Sequence, residues 1–120
     1  KLNIRLSDPL ILDGDFEGFS FTARLNIPLG AFGDLQSGNF DRIAQGLAEA
    51  IWEWDFYDEE GEPMPAIEAA RGLRREQRKE GKWQPDSDPV MLLMKRLPFD
   101  LTMTVVSRLD KAIGEIRPSS

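Results

Sequence analysis

Cysteine and histidine are both absent from the 120 residues, and these absences narrow the chemistry more than any residue that is present. Without cysteine there is no disulfide, no thiolate nucleophile and no cysteine-ligated zinc. Without histidine the chain lacks the commonest acid/base group at neutral pH and the commonest transition-metal ligand. Long apolar runs are missing too: none approaches the ~20 residues that span a bilayer, so no membrane partner is expected. Neither GxxxxGK[ST] nor GxGxxG occurs, which removes the sequence signatures of phosphate-cradling loops. The opening Lys1-Leu2-Asn3-Ile4-Arg5 alternates polar and apolar residues, unlike a secretory leader, and a cytoplasmic location is expected. A first residue other than Met leads us to expect a portion of a longer product. Positive charge is in deficit: the net charge of −6 argues against phosphate neutralisation as the main task, and no nucleic-acid partner is expected.

A chain of this length builds one core, and the patterning says from which elements. Leu2, Ile4 and Leu6 alternate with polar residues as in a half-buried strand, and Leu10-Ile11-Leu12 resumes it before the Asp13-Gly14-Asp15 turn. Phe19, Phe21, Ala23, Leu25 and Ile27 fall on one face of a second strand, predicted to pair with the first as an antiparallel hairpin. Pro28 to Gly38 is expected to be a Gly-rich connection anchored by Leu29, Phe32 and Leu35. Asn39 or Ser37 then caps a helix whose stripe is Phe40, Ile43, Ala44, Leu47, Ala48 and Ile51. From Ile51 the period changes to that of a short strand bearing Trp52, Trp54 and Phe56, with an irregular last helical turn as the alternative.

Asp58 to Pro63 is a turn, and Pro65 opens a helix through Ala66, Ile67, Ala70 and Leu73, which should fray or project where the sequence turns to RREQRKEGK. Trp83 to Ser87 is expected to be a loop. Asp88-Pro89 caps and starts a short helix carrying Val90, Leu93, Met94 and Leu97, stopped by Pro98. Asp100 is expected to cap a final helix with Leu101, Val105, Leu109, Ala112 and Ile116 on one face and Val106 and Ile113 widening it. The expected fold is α+β: an N-terminal antiparallel hairpin or small sheet followed by three to four helices, one domain over residues 1–117, with 118–120 starting a polar tail or junction.

Candidate sites are few. The acidic stretch Glu49 to Glu62 fails as an EF-hand, because counting back from Gly61 as the sixth position puts Phe56 first and Ile67 twelfth. It reads as a solvated helix end and turn, or, through Asp58, Glu59 and Glu60, as a surface for a basic partner. The basic stretch Arg71 to Lys82, with Arg74, Arg75 and Arg78, reads as a solvated helix with Glu–Arg pairs. The alternative is a cationic arm that meets the acidic stretch of another copy, giving self-association. Trp52 and Trp54 are expected in the core, with a recognition surface as the alternative. Met91, Met94 and Met103 read as core packing. Carboxylate pairs such as Asp55 with Glu60 have nothing to fix them across a cleft, and the serines have no histidine base. We expect no enzyme, no cofactor and no metal.

The order of features is nevertheless distinctive. Amphipathic N-terminal strands lead to a helix that runs into an aromatic segment. An acidic turn of the form D-E-x-G-x-P-x-P follows (Asp58-Glu59-Glu60-Gly61-Glu62-Pro63-Met64-Pro65), and Leu97-Pro98-Phe99-Asp100 opens the last helix. This layout resembles small tail assembly chaperones of long-tailed bacteriophages, particularly those infecting actinobacteria. The resemblance implies a non-enzymatic protein of the host cytoplasm that binds and solubilises the helical tape measure protein until the tail tube polymerises around it. It also implies short and frameshifted long forms that share one N-terminal domain. A holdase of that kind needs apolar grooves rimmed by charge. The expected groove lies between the helix at Phe40 to Ile51 and the last helix, with Met103, Val106 and Ile113 turned to the client. Different classes remain open: a small acidic inhibitor or nucleic-acid mimic, and a structural virion or adaptor subunit.

Overall fold

In the computed structural model residues 3–116 are described; Lys1, Leu2 and the expected tail from Pro118 lie outside them, as does the side chain of Ile116. Strand β1 (Leu10–Ile11) pairs antiparallel with β2 (Ser20–Ala23), and β2 pairs antiparallel with β3 (Ile51–Asp55), in the order β1-β2-β3. Helices α1 (Leu29–Leu35) and α2 (Phe40–Ala50) lie in sequence between β2 and β3; α3 (Ile67–Lys79), α4 (Pro89–Met94) and α5 (Phe99–Ile116) follow. The α+β class is as the patterning predicts. The additional helix, α1, occupies the stretch expected as a Gly-rich connection.

The sheet is built where alternation is unbroken. Phe21 and Ala23 are buried, and Phe19, Leu25 and Ile27 pack against the core at its edge. The half-buried strand expected at Ile4 and Leu6 does not form. Both side chains are exposed, and only an isolated bridge joins Leu6 to Arg24. The reason is local: Ser7 Oγ accepts the Ala23 amide at 3.0 Å and Asn26 Oδ1 accepts the Arg5 amide at 2.9 Å, so side chains occupy ladder positions. Pro9 then lacks a donor altogether.

A bulge decides which aromatics of β3 reach the core. Glu53 faces Thr22 but Ala23 faces Ile51, which leaves Trp52 as the extra residue. Ile51 and Trp54 therefore share the core side with Phe21 and Ala23, and Phe56 follows into the interior at 1% exposure. Trp52 is put out of phase and lies half-buried under the Arg71 guanidinium, 4.2 Å from its ring centroid. The expectation that both tryptophans fill the core holds in part for Trp54, which packs half-buried against the core, and fails for Trp52.

Helix α2 begins as expected: Asn39 Oδ1 accepts the Arg42 amide at 3.0 Å. Ile43, Ala44, Leu47 and Ala50 are buried, whereas Phe40, expected on the same stripe, is 69% exposed. Gly46 sets the approach of α1 to α2, because a Cβ there would stand 2.9 Å from both Ala31 O and Leu35 Cγ. Leu35 is the deep anchor of α1; Leu29, expected to be one, points to solvent. Gly46→Ala gains about 1 kcal/mol of helix propensity but collides with a backbone carbonyl, an overpacking cost of about 1–3 kcal/mol. The clash wins, and a net loss of roughly 1 kcal/mol is expected as a lower urea midpoint at unchanged slope.

Helix α3 does not fray after Leu73 but runs to Lys79, with most of the residues beyond Leu73 exposed, as the projecting alternative has it. Its start has no side-chain cap of its own; Glu53 Oε1, reaching from β3, accepts the Ile67 amide at 3.0 Å. Its basic half is held by Arg74 and Arg78, described below. Helix α4 starts at Asp88-Pro89 as expected, and Val90, Met91, Leu93 and Met94 are buried. Asp100, expected to cap α5, instead lies inside its first turn, since the helix starts at Phe99. Leu101, Val105, Val106, Leu109, Ala112 and Ile113 join one contiguous core cluster with the sheet, α2 and α4.

Candidate functional site

Capping and a proline place two phenylalanines side by side on the surface. Asn39 fixes Phe40 as the first residue of α2, and Leu97-Pro98 fixes Phe99 as the first residue of α5. Their rings meet edge to face at 5.6 Å while remaining 69% and 63% exposed. Beside them a cleft of about 350 Å³ opens between α2 and the start of α5. Its floor is Ile43, Ala44, Leu47, Met94 and Leu97, all buried, and its far wall is Met103, 40% exposed. Thr102 contributes apolar surface, since its hydroxyl is donated to Pro98 O at 2.9 Å. The cleft's ionisable groups are Asp41 and Lys95, joined at 2.7 Å on the rim. With its charges paired to each other, the cleft offers apolar contact and little else.

The expected α2–α5 groove thus exists, displaced toward the start of α5. Met103 lines it, but Val106 and Ile113, expected to face a client, are buried at 9% and 8% exposure. They lie where the helical stripe widens, and the core takes them. Phe40 and Phe99 are the residues that sequence reasoning missed as contacts. Their apolar periodicity resembles core, and only their place in the first turn hints otherwise.

The cations singled out in the sequence are largely spent inside the molecule. Arg71 is buried; it donates to Trp52 O at 2.6 Å and to Glu68 at 3.1 Å, and stands 3.7 Å from Glu53. Arg74 lies 3.5 Å from Asp88, itself buried, and Arg75 pairs with Glu68 at 3.0 Å. Arg78 stacks on Trp83 with its guanidinium carbon 4.6 Å from the ring centroid, and the Trp83 indole donates to Asp88 at 2.9 Å. The stretch is, as expected, largely a solvated helix with Glu–Arg pairing, but Arg71 and Arg74 are packed inward, so Arg74 is not free for a neighbouring copy. Trp54 is likewise engaged: it stacks on Phe56 at 5.1 Å and donates to Pro65 O at 2.9 Å.

Glu68 shows the electrostatic effect of this face. Hydrogen bonds from Arg75 first, then Arg71, hold its carboxyl below the ordinary 4.5. A depressed folded-state pKa stabilises the fold above the unfolded value and is lost as pH falls through the folded one. Glu68→Gln is therefore expected to flatten the acid limb of a stability–pH profile below about 4.5, read by chemical denaturation at stepped pH. An unchanged limb would mean that Glu68 contributes nothing.

Asp58, Glu59 and Glu60 stand on the turn between β3 and α3. Asp58 Oδ1 accepts the amides of Glu60 and Glu62, both at 2.9 Å, and Gly61 takes the positive φ of 79° that closes the reversal. Asp55 raises the pKa of Tyr57, at the head of the turn, above its ordinary 10.0, through hydrogen bonding first and then through its negative charge. Among the described residues no group of carboxylates converges to hold a metal ion. No helix among them is long and apolar enough to cross a membrane. Compared with protein-family profiles, curated proteins and solved structures, the chain matches none.

Proposed function

We propose that this domain is a non-enzymatic chaperone that receives an amphipathic helix of a client protein in the α2–α5 cleft. The observation that carries the reading is the exposed Phe40–Phe99 pair over a buried aliphatic floor, walled by Met103. Exposed aromatic rings cost solvation in a free monomer and supply hot-spot area in a complex. A helix presenting apolar residues at i, i+3, i+4 and i+7 matches a groove of this kind, and Met103 can repack to different side chains. Taken with the resemblance to phage tail assembly chaperones, the client is the tape measure protein encoded with this chain, a long helical polymer with repeated docking segments. The host cytoplasm is the place of action on this reading.

The test is co-expression with that tape measure protein, followed by native mass spectrometry of the soluble fraction. Several copies of this chain on one otherwise insoluble client are expected. A monomer that leaves the client insoluble would overturn the reading.

A further inference from the structure

On the other side of the α4–α5 junction a second cavity, of about 450 Å³, has a different chemistry. One part of its wall is aromatic and the rest is Met64, Pro65, Pro98 and Leu101: Phe16 and Phe19 lie 5.7 Å apart and tilted by 52°, and Phe19 meets Tyr57 edge to face, also at 5.7 Å. Asp15, Asp58, Glu59 and Glu60 also line it, and Arg96 is the cation in the lining. These carboxylates take part in no ion pair among the described residues, whereas Glu53, Glu68 and Asp88 on the α3 face are matched to arginine. Rings set at angles beside a space, with carboxylates in the same lining that make no ion pair, attract a cation through their π-faces and through charge together.

We propose that this cavity takes a cationic side chain of a partner polypeptide. Arginine suits it better than lysine, because a planar guanidinium stacks on a ring while its edge donates to carboxylates. A polypeptide is the source because the cavity adjoins the apolar cleft: Leu97 and Phe99 line the cleft, while Pro98 and Leu101 line the cavity. One chain crossing the junction reaches both. The polypeptide source rests on the helix-binding reading; the cation site itself does not, being formed by the β1–β2 connection, the acidic turn and the α4–α5 junction.

The test is an aromatic 1H–13C NMR titration of the whole chain with N-acetylarginine amide, beside the neutral isostere N-acetylcitrulline amide. Arginine is expected to shift the Phe16, Phe19 and Tyr57 rings, and citrulline to leave them in place. Glu59→Gln with Glu60→Gln, both at exposed turn positions, should weaken arginine binding by about threefold or more, and Arg96→Gln should strengthen it. Tyr57→Leu should weaken it while the carboxylates remain. Equal shifts with citrulline, or arginine shifts confined to turn amides with still rings, would overturn the site. Stronger ring shifts with spermidine at equal concentration would overturn the polypeptide assignment.

Discussion

Phe40→Ala combined with Phe99→Ala is expected to cost at least about 100-fold in affinity for a client helix while leaving the fold in place. Each ring is an exposed aromatic anchor of the kind whose truncation costs about 2 kcal/mol in an interface, and about 1.4 kcal/mol is tenfold. Folding depends on them far less. They are 69% and 63% exposed, and their mutual edge-to-face contact is worth only about 1 kcal/mol. A client-peptide titration by calorimetry, paired with a urea melt of the same variant, separates the two quantities. Equal losses in both would make the pair structural; no loss in binding would remove the cleft from the account.

Asp88→Ala is expected to be among the most destabilising single changes in the molecule, at about 3 kcal/mol or roughly 10 °C in melting temperature. One carboxylate oxygen accepts the Val90 and Met91 amides at 2.8 and 3.2 Å. The other accepts the Trp83 indole at 2.9 Å and faces Arg74 at 3.5 Å. Losing the cap alone costs about 1 kcal/mol. The larger share comes from leaving the guanidinium of Arg74 and the indole of Trp83 without a partner beside a buried helix start. Asp88→Asn keeps the capping oxygen but sets an N–H donor where the second oxygen accepts the Trp83 indole and faces Arg74, so it recovers only the cap and a loss of about 2 kcal/mol is expected. Differential scanning calorimetry of both variants gives the ratio; equal losses would place the effect in the ion pair and not in the cap.

Legibility from sequence followed locality. The Asn39 and Asp88 caps, the Phe21 strand and the short α4 helix each depend on a few consecutive residues, and they stand where the patterning puts them. Failures occurred where a distant group intervened. Trp52 leaves the core because a bulge opposite Thr22 and Ala23 changes the phase, which alternation within β3 does not reveal. The basic end of α3 remains helical because Trp83 and Asp88, later in the chain, fold back onto Arg78 and Arg74. The groove was legible as the meeting of α2 and α5, but its contact residues were not. An apolar stripe gives no measure of its own excess, so Val106 and Ile113 went to the core and Phe40 and Phe99 stayed outside.

Hydrogen-exchange mass spectrometry of the chain, alone and in complex with its co-expressed client, reads directly whether a helix docks between α2 and α5. New protection is expected in residues 40–47 and 97–103, the two segments that line the cleft. Protection confined to the acidic turn at 57–65, with 40–47 and 97–103 exchanging as in the free chain, would contradict it and make the basic-partner reading the better description.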